Sequence, residues 1–169
     1  MRKANNFSTE KRFNYKKREN FMGFDVGTHR IGYGVIYWNK SGPKILKAGM
    51  IVKDKKFSFL KDFKKIEKLI KNVKPKLVVL EKIYFSRNVT NALSVAEVQG
   101  LIKYACEKSK VKFLEVHPKS LKLKISGDGN ADKNDIKNSV NYLLKINKKF
   151  KTDDIYDALA LALYGSMFI

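Results

Sequence analysis

Five carboxylates in this chain stand where they could do chemistry together. Asp25 ends a short apolar run, 21–26, and Glu81 ends another, Leu77-Val-Val-Leu80. Asp153, Asp154 and Asp157 open the last apolar segment. A carboxylate closing a buried strand is costly to desolvate unless something positive meets it. The exit of a strand is also where α/β folds place ligand chemistry. If the two strands are central neighbours, Asp25 and Glu81 project from the same edge of the sheet. Asp154 and Asp157 are three apart and share a helix face, which continues through Ala158, Leu161 and Gly165. Asp153 reads instead as a first-turn residue favoured by the helix dipole. Three or four carboxylates meeting at one place cannot all stay ionised without a cation. Their hard oxygens suit Mg²⁺ or Mn²⁺ rather than zinc. Two such ions about 4 Å apart activate water and stabilise the leaving oxygen of a phosphodiester.

The charge balance points the same way. Thirty-six Lys and Arg face 16 Asp and Glu, a net charge of +20, which calls for a polyanionic partner. Lysines would hold a nucleic acid while cations let the carboxylates approach its phosphates. An anionic membrane would call for a basic amphipathic helix or a lipidation signal, and the sequence shows neither. No apolar signal core follows the basic N-terminus, and no run is long enough to span a bilayer. The single cysteine, Cys106, excludes an intramolecular disulfide and sits in an apolar helical pattern, as a buried inert thiol would. These features predict a cytoplasmic protein.

The elements that must position the carboxylates follow from periodicity. With 169 residues, 44% of them hydrophobic, the chain suits one domain with one core. Residues 1–20 carry seven Lys or Arg against two Glu and read as a flexible basic arm before a domain over 21–169. Strands are predicted at 21–26, 32–38 and 45–52, with Ser41-Gly-Pro43 as a turn. Gly27, Gly32 and Gly34 would let a second strand or a phosphate backbone come close. Ser58 caps a helix burying Phe59, Leu60, Phe63, Ile66, Leu69 and Ile70. A central strand covers 77–80. A helix over 89–106 is apolar around more than half its circumference, so it is either central or packed on a second subunit. A strand over 112–116 stops at His117-Pro118, and 119–124 is a short basic segment. Asn130 caps a helix burying Ile136, Val140, Leu143 and Leu144, and Thr152 caps the last helix, 153–167. The order βββαβαβαα predicts an α/β fold, a mixed sheet with helices on both faces.

Three motifs carry a family resemblance. Asp25-Val-Gly-Thr-His-Arg-Ile-Gly-Tyr-Gly-Val-Ile resembles the opening motif of the RuvC Holliday-junction resolvases, Asp-Pro-Gly with a later Gly-Tyr-Gly-Val-Ile. Leu80-Glu81-Lys-Ile-Tyr-Phe-Ser-Arg-Asn88 is similar to that family's Ile-Glu-Gln-Val-Phe segment with a following Lys-Asn. Asp154-Ile-Tyr-Asp157-Ala-Leu-Ala-Leu-Ala is similar to its final Asp-x-x-Asp-Ala-Leu-Ala helix. The likeness runs in order over 21–169. It implies an RNase H-like fold, a five-stranded mixed sheet flanked by helices on both faces. It also implies a divalent-metal-dependent, structure-selective endonuclease that resolves Holliday junctions by paired symmetric nicks as a homodimer. Its catalytic and metal-holding carboxylates would be Asp25, Glu81, Asp154 and Asp157. Tyr84 falls where the family inserts an aromatic near the junction centre, with Phe85 as the neighbouring alternative. Lys119, Lys122, Lys133 and Arg87 stand at its basic DNA-contact positions. His29 and His117 receive no role.

Val26 replaces the family's proline, the basic arm is additional, and the C-terminal tail has no counterpart. These departures suit a compact, divergent version of phage or small-genome origin. They leave open strict selectivity for Holliday junctions over other branched DNA, and work with a branch-migration motor. The alternatives are an RNase H-like nuclease on RNA or RNA–DNA hybrid, and a non-catalytic branched-DNA-binding protein. Asp25-x-Gly-Thr also resembles the first phosphate loop of sugar-kinase and actin-like ATPases, whose duplicated domain this chain is too short to hold.

Overall fold

The computed structural model describes residues 18–53, 59–84, 89–147 and 149–168. Strands β1 (Asn20–Val26), β2 (Arg30–Asn39) and β3 (Gly42–Val52) form an antiparallel meander. Helix α1 (Phe59–Val73) leads to β4 (Leu77–Glu81), and α2 (Val89–Lys108) to β5 (Lys112–Val116). Three helices finish the chain: α3 (Pro118–Ser126), α4 (Lys133–Leu144) and α5 (Asp153–Ser166). The sheet order is β3-β2-β1-β4-β5, with β4 parallel to both its neighbours. The expected five-stranded mixed sheet is present, and β4 is buried as a central strand should be.

Local chemistry accounts for several differences from the sequence expectation. The basic segment after β5 is a helix, α3. His117 caps it by accepting from the Lys119 N–H at 3.1 Å, and Pro118 opens its first turn. Leu121 and Ile125, one turn apart, bury its inner side, and Gly127 at φ +84° closes it. The cap of α4 is Asp132 rather than Asn130. Asp132 and Asp135 each accept the other's backbone N–H at 2.9 Å, a reciprocal capping box. Thr152 holds the cap position of α5, but its hydroxyl donates to Met50 Sδ at 3.3 Å and caps nothing. The turn between β2 and β3 is Lys40-Ser41, with Gly42 at φ +104° beginning β3. Ser58 lies outside the described residues.

Residues 18–20, expected in the flexible arm, are tied to the domain. Arg18 lies 4.2 Å over the Tyr37 ring, and Lys76 pairs with Glu19 at 2.8 Å. Asn20 donates to the Val73 carbonyl. Residues 1–17 lie outside the described residues. No described helix is long and apolar enough to cross a membrane.

Helices cover both faces of the sheet. On one, Met22, Phe24, Ile31, Val35, Val78 and Leu80 pack with Ile66 and Ile70 of α1 and Val98 and Ile102 of α2. Leu60, expected in the buried stripe of α1, is exposed, as are Leu93 and Tyr104 of α2. The long helix therefore covers the sheet with one side and presents apolar groups outward with the other. On the second face lie α3, α4 and α5, and Ala158 through Leu163 are fully buried.

Helix α5 lies almost directly on the strand backbones. A Cβ at Gly23 would strike the Ala158 carbonyl and come within 2.7 Å of Ala162 N. One at Gly32 would strike the Asp154 carbonyl, and one at Gly34 would sit 2.9 Å from Leu159 Cα. The helix answers with Gly165, whose Cβ would lie 2.6 Å from Val79 Cγ2. So Gly32 and Gly34, expected to admit a strand or a phosphate, admit this helix instead.

Candidate active site

The parallel register of β1 and β4 runs from Phe21 opposite Leu77 to Phe24 opposite Leu80. Asp25 and Glu81 are the next residues on each strand. Strand alternation puts Phe21, Gly23 and Asp25 on the α5 face with Leu77, Val79 and Glu81. On β2 the partner of Asp25 is Gly32, the residue on which the first turn of α5 rests. Asp154 and, three residues on, Asp157 are thereby lowered toward the two strand carboxylates. Asp157, Asp154 and Glu81 all act electrostatically on Asp25, so the four expected acids, from three elements, lie near one another.

Their acidity records the convergence. The Asp25 carboxyl is pushed up from its ordinary 3.8 to about 7, first by burial, then by Asp157, Asp154 and Glu81, with Lys133 opposing. Burial and Asp157 raise Glu81 against Lys122 and Lys133. Burial is also the main cause of the rise at Asp157, where Asp153 and Asp154 add and Lys133 and Lys137 oppose. One oxygen of Asp154, Oδ2, is buried 2.9 Å from Arg30 Nε, yet among the described residues no N–H is aimed at it well enough for a hydrogen bond. Asp153 turns away as its first-turn reading expects: it is exposed, and Lys137 donates to it at 2.8 Å, holding it below the usual carboxylate range.

These donors fit a hard divalent cation. All are carboxylate oxygens, one is buried without an aligned donor among the described residues, and burial and the neighbouring acids raise the Asp25 carboxyl to about 7. As they stand, no three His, Cys, Asp or Glu side chains among the described residues are arranged to hold a metal ion.

The basic positions divide. Lys122 on α3 and Lys133 at the start of α4 stand close enough to act on the acids electrostatically. Lys119, in the first turn of α3, is exposed and makes no such contribution to them. Tyr84 is 47% exposed and meets the His117 ring edge-on at 4.9 Å. His117 is structural, in keeping with the default for a histidine without a family role. Phe85 and Arg87 lie outside the described residues. Three further groups touch the site without having been expected: Arg30, Lys137 and Gln99. Lys137 lies four residues after Lys133 on one helix face, a spacing readable in the sequence. Arg30 carried no such signal, and a lone amide in an apolar helix carries little.

Comparison with known proteins identifies the lineage. Residues 21–164 match the family model described as Crossover junction endodeoxyribonuclease RuvC. The chain is 37% identical over 146 residues to the protein of that name from Prochlorococcus marinus (strain MIT 9312), covering 84% of this chain and 92% of that one. It is 33% identical over 150 residues to its namesake from Carboxydothermus hydrogenoformans, covering 85% and 93%. In fold it is similar to Thermus thermophilus RuvC, with a TM-score of 0.77 at 21% identity over 88% of this chain and 96% of that one. The same protein in complex with a Holliday junction substrate gives 0.76 at 21% identity, over 87% and 96%. The fowlpox virus Holliday junction resolvase gives 0.55 at 17% identity, over 90% and 100%. The RNase H-like fold and the motif resemblance thus agree, and the chain belongs to the RuvC family of crossover junction endodeoxyribonucleases.

Proposed function

We propose that Asp25, Glu81, Asp154 and Asp157 are the catalytic, cation-holding carboxylates of this structure-selective Holliday junction endonuclease. The observation that supports the assignment is geometric: β1 and β4 run side by side up to Asp25 and Glu81, and the first turn of α5, resting on Gly32 opposite Asp25, carries Asp154 and Asp157. The four carboxylates would hold a divalent cation, Mg²⁺ with Mn²⁺ able to replace it. Such an ion supplies a positive centre that acidifies water and stabilises the leaving oxygen. In the hydrolysis a water oxygen bonds to phosphorus in line as the bond to the leaving sugar oxygen breaks. One water proton is lost and the leaving oxygen gains one. Lys122 and Lys133 offset the carboxylate charge that would repel the phosphate, and Lys119 extends the basic surface. Tyr84 is exposed enough to stack on an unpaired base. Phe85 and Arg87 follow it in sequence and belong to the same proposed contact region.

A two-fold junction cut symmetrically calls for two related sites, and so for a homodimer. Exposed Leu60, Leu93 and Tyr104 on the outer side of α1 and α2 supply an apolar surface for it.

The test is cleavage in Mg²⁺ of a labelled four-way junction, a three-way fork, linear duplex and an RNA–DNA hybrid, with Asp25→Asn alongside. Paired symmetric nicks in the junction, lost in the variant, are expected. Fork cleavage would broaden the substrate to branched DNA. Hybrid cutting alone would move the protein to the RNase H side. Tight binding without cutting would leave a binding protein and overturn the site.

A further inference from the structure

We infer that Gln99 is a positioning residue that fixes Glu81 at the mouth of the site from the opposite face of the sheet. The inference rests on Glu81 being one of the catalytic acids. Pairing between β1 and β4 ends at Phe24 and Leu80, whereas β4 and β5 pair one residue further, to Glu81 and Val116. Beyond that rung the Lys82 N–H donates to the Val116 carbonyl at 2.8 Å. In a trans peptide the carbonyl points opposite to the N–H, so the Glu81 carbonyl faces away from β5, toward β1, where no strand partner remains. Gln99 fills that gap: its Nε2 donates to the Glu81 carbonyl at 2.8 Å. The amide is 3% exposed, and its Oε1 is buried with no partner among the described residues. Burying an amide for one bond is costly, and an aliphatic residue there would cost less. The bond is what the amide contributes. It holds the last peptide of β4 where β1 and β4 part, and the Glu81 side chain leaves that same residue toward Asp25 and Asp157. Gln99 lies in α2 beside the core positions Val98 and Ile102, and its bond is to the backbone of Glu81 rather than to a reacting atom, so its effect is on geometry alone.

The experiment compares wild type, Gln99→Leu and Gln99→Glu in single-turnover cleavage of a four-way junction from pH 6 to 8.5 in saturating Mg²⁺. Junction affinity and melting temperature are measured on the same preparations. Gln99→Leu is expected to cut roughly ten- to a hundredfold more slowly with junction affinity unchanged. Gln99→Glu has the same shape but donates only when protonated, and a carboxyl so buried titrates above its ordinary range. Its rate relative to wild type is therefore expected to climb as pH falls, while that of Gln99→Leu stays flat. Wild-type cutting by Gln99→Leu would overturn the inference. Gln99→Met, apolar and of similar length, is measured alongside and decides the matter if the Leu variant does not fold: wild-type cutting by it would overturn the inference too. Failure of the wild type to cut, or cutting by Asp25→Asn, would instead strike the catalytic assignment.

Discussion

On the α1/α2 face, side chains keep helix and strand apart: Phe24, Ile31, Val78 and Leu80 stand between the sheet and Ile66, Ile70, Val98 and Ile102. On the α5 face, Gly23, Gly32 and Gly34 leave those places empty and the helix backbone comes down onto the strands. The first arrangement is tolerant, because aliphatic groups of similar volume can be exchanged. The second is not, since a single methyl would have to displace backbone. Yet only the second can bring carboxylates on short side chains from a helix to carboxylates at strand ends. The proposed chemistry sits on the face where spacing is set by backbone, and the other face sets its spacing with side chains.

Four changes test that contrast, from the largest effect to the smallest. Glu81→Gln keeps the volume and removes one acid; cleavage should fall by at least about a thousandfold. Junction binding, measured by titration without divalent ions, should hold or tighten because a negative charge near the phosphates is gone. Gly32→Ala should cost about 3 kcal/mol, lowering the melting temperature by roughly 5–10 °C, and should depress cleavage with it. If that variant melts and cuts like wild type, the close approach of α5 is not what builds the site.

The third change concerns protons. Unfolded, Asp25 ionises near 3.8; folded and without cation, it does so only at about 7. Between these values the folded chain holds the extra proton, so stability falls as pH rises through the window and levels off above it. Asp25→Asn should therefore raise the melting temperature in chelator little at pH 4 and by roughly 5 °C at pH 8. An equal gain at both pH values would mean that Asp25 is not held in its neutral form. The smallest effect belongs to the tolerant face. A Cβ added at Gly100 in α2 would meet nothing within 4 Å among the described residues, so Gly100→Ala should stabilise by up to about 1 kcal/mol without touching cleavage. Calorimetric melting would register it.

Much of this was legible in the sequence, for physical reasons. Asp25 and Glu81 stood out because apolar strands rarely end in charge, and their common edge was expected on the condition, met by the β1–β4 pairing, that the two strands are neighbours. The Asp154, Asp157, Ala158, Leu161, Gly165 stripe was readable as a packing face, and that face does meet Gly23 and Val79. What the glycines admit was not readable: their partner lies more than a hundred residues later, and a glycine declares space without naming its occupant. Helix α3 was obscured because only Leu121 and Ile125 bury against the core, amid lysines that read as a solvated segment. Asn130 suits a cap by residue type, but the reciprocal bond with Asp135 puts the cap at Asp132. Gln99 was silent, because its partner is a backbone carbonyl, and every residue has one.

Cys106 is fully buried in α2, and burial pushes its thiol up to about 12. At neutral pH it offers almost no thiolate. A cysteine introduced on the surface would therefore be the one thiol open to a maleimide dye. The protein can carry a fluorescent reporter at a chosen position with its native cysteine left in place.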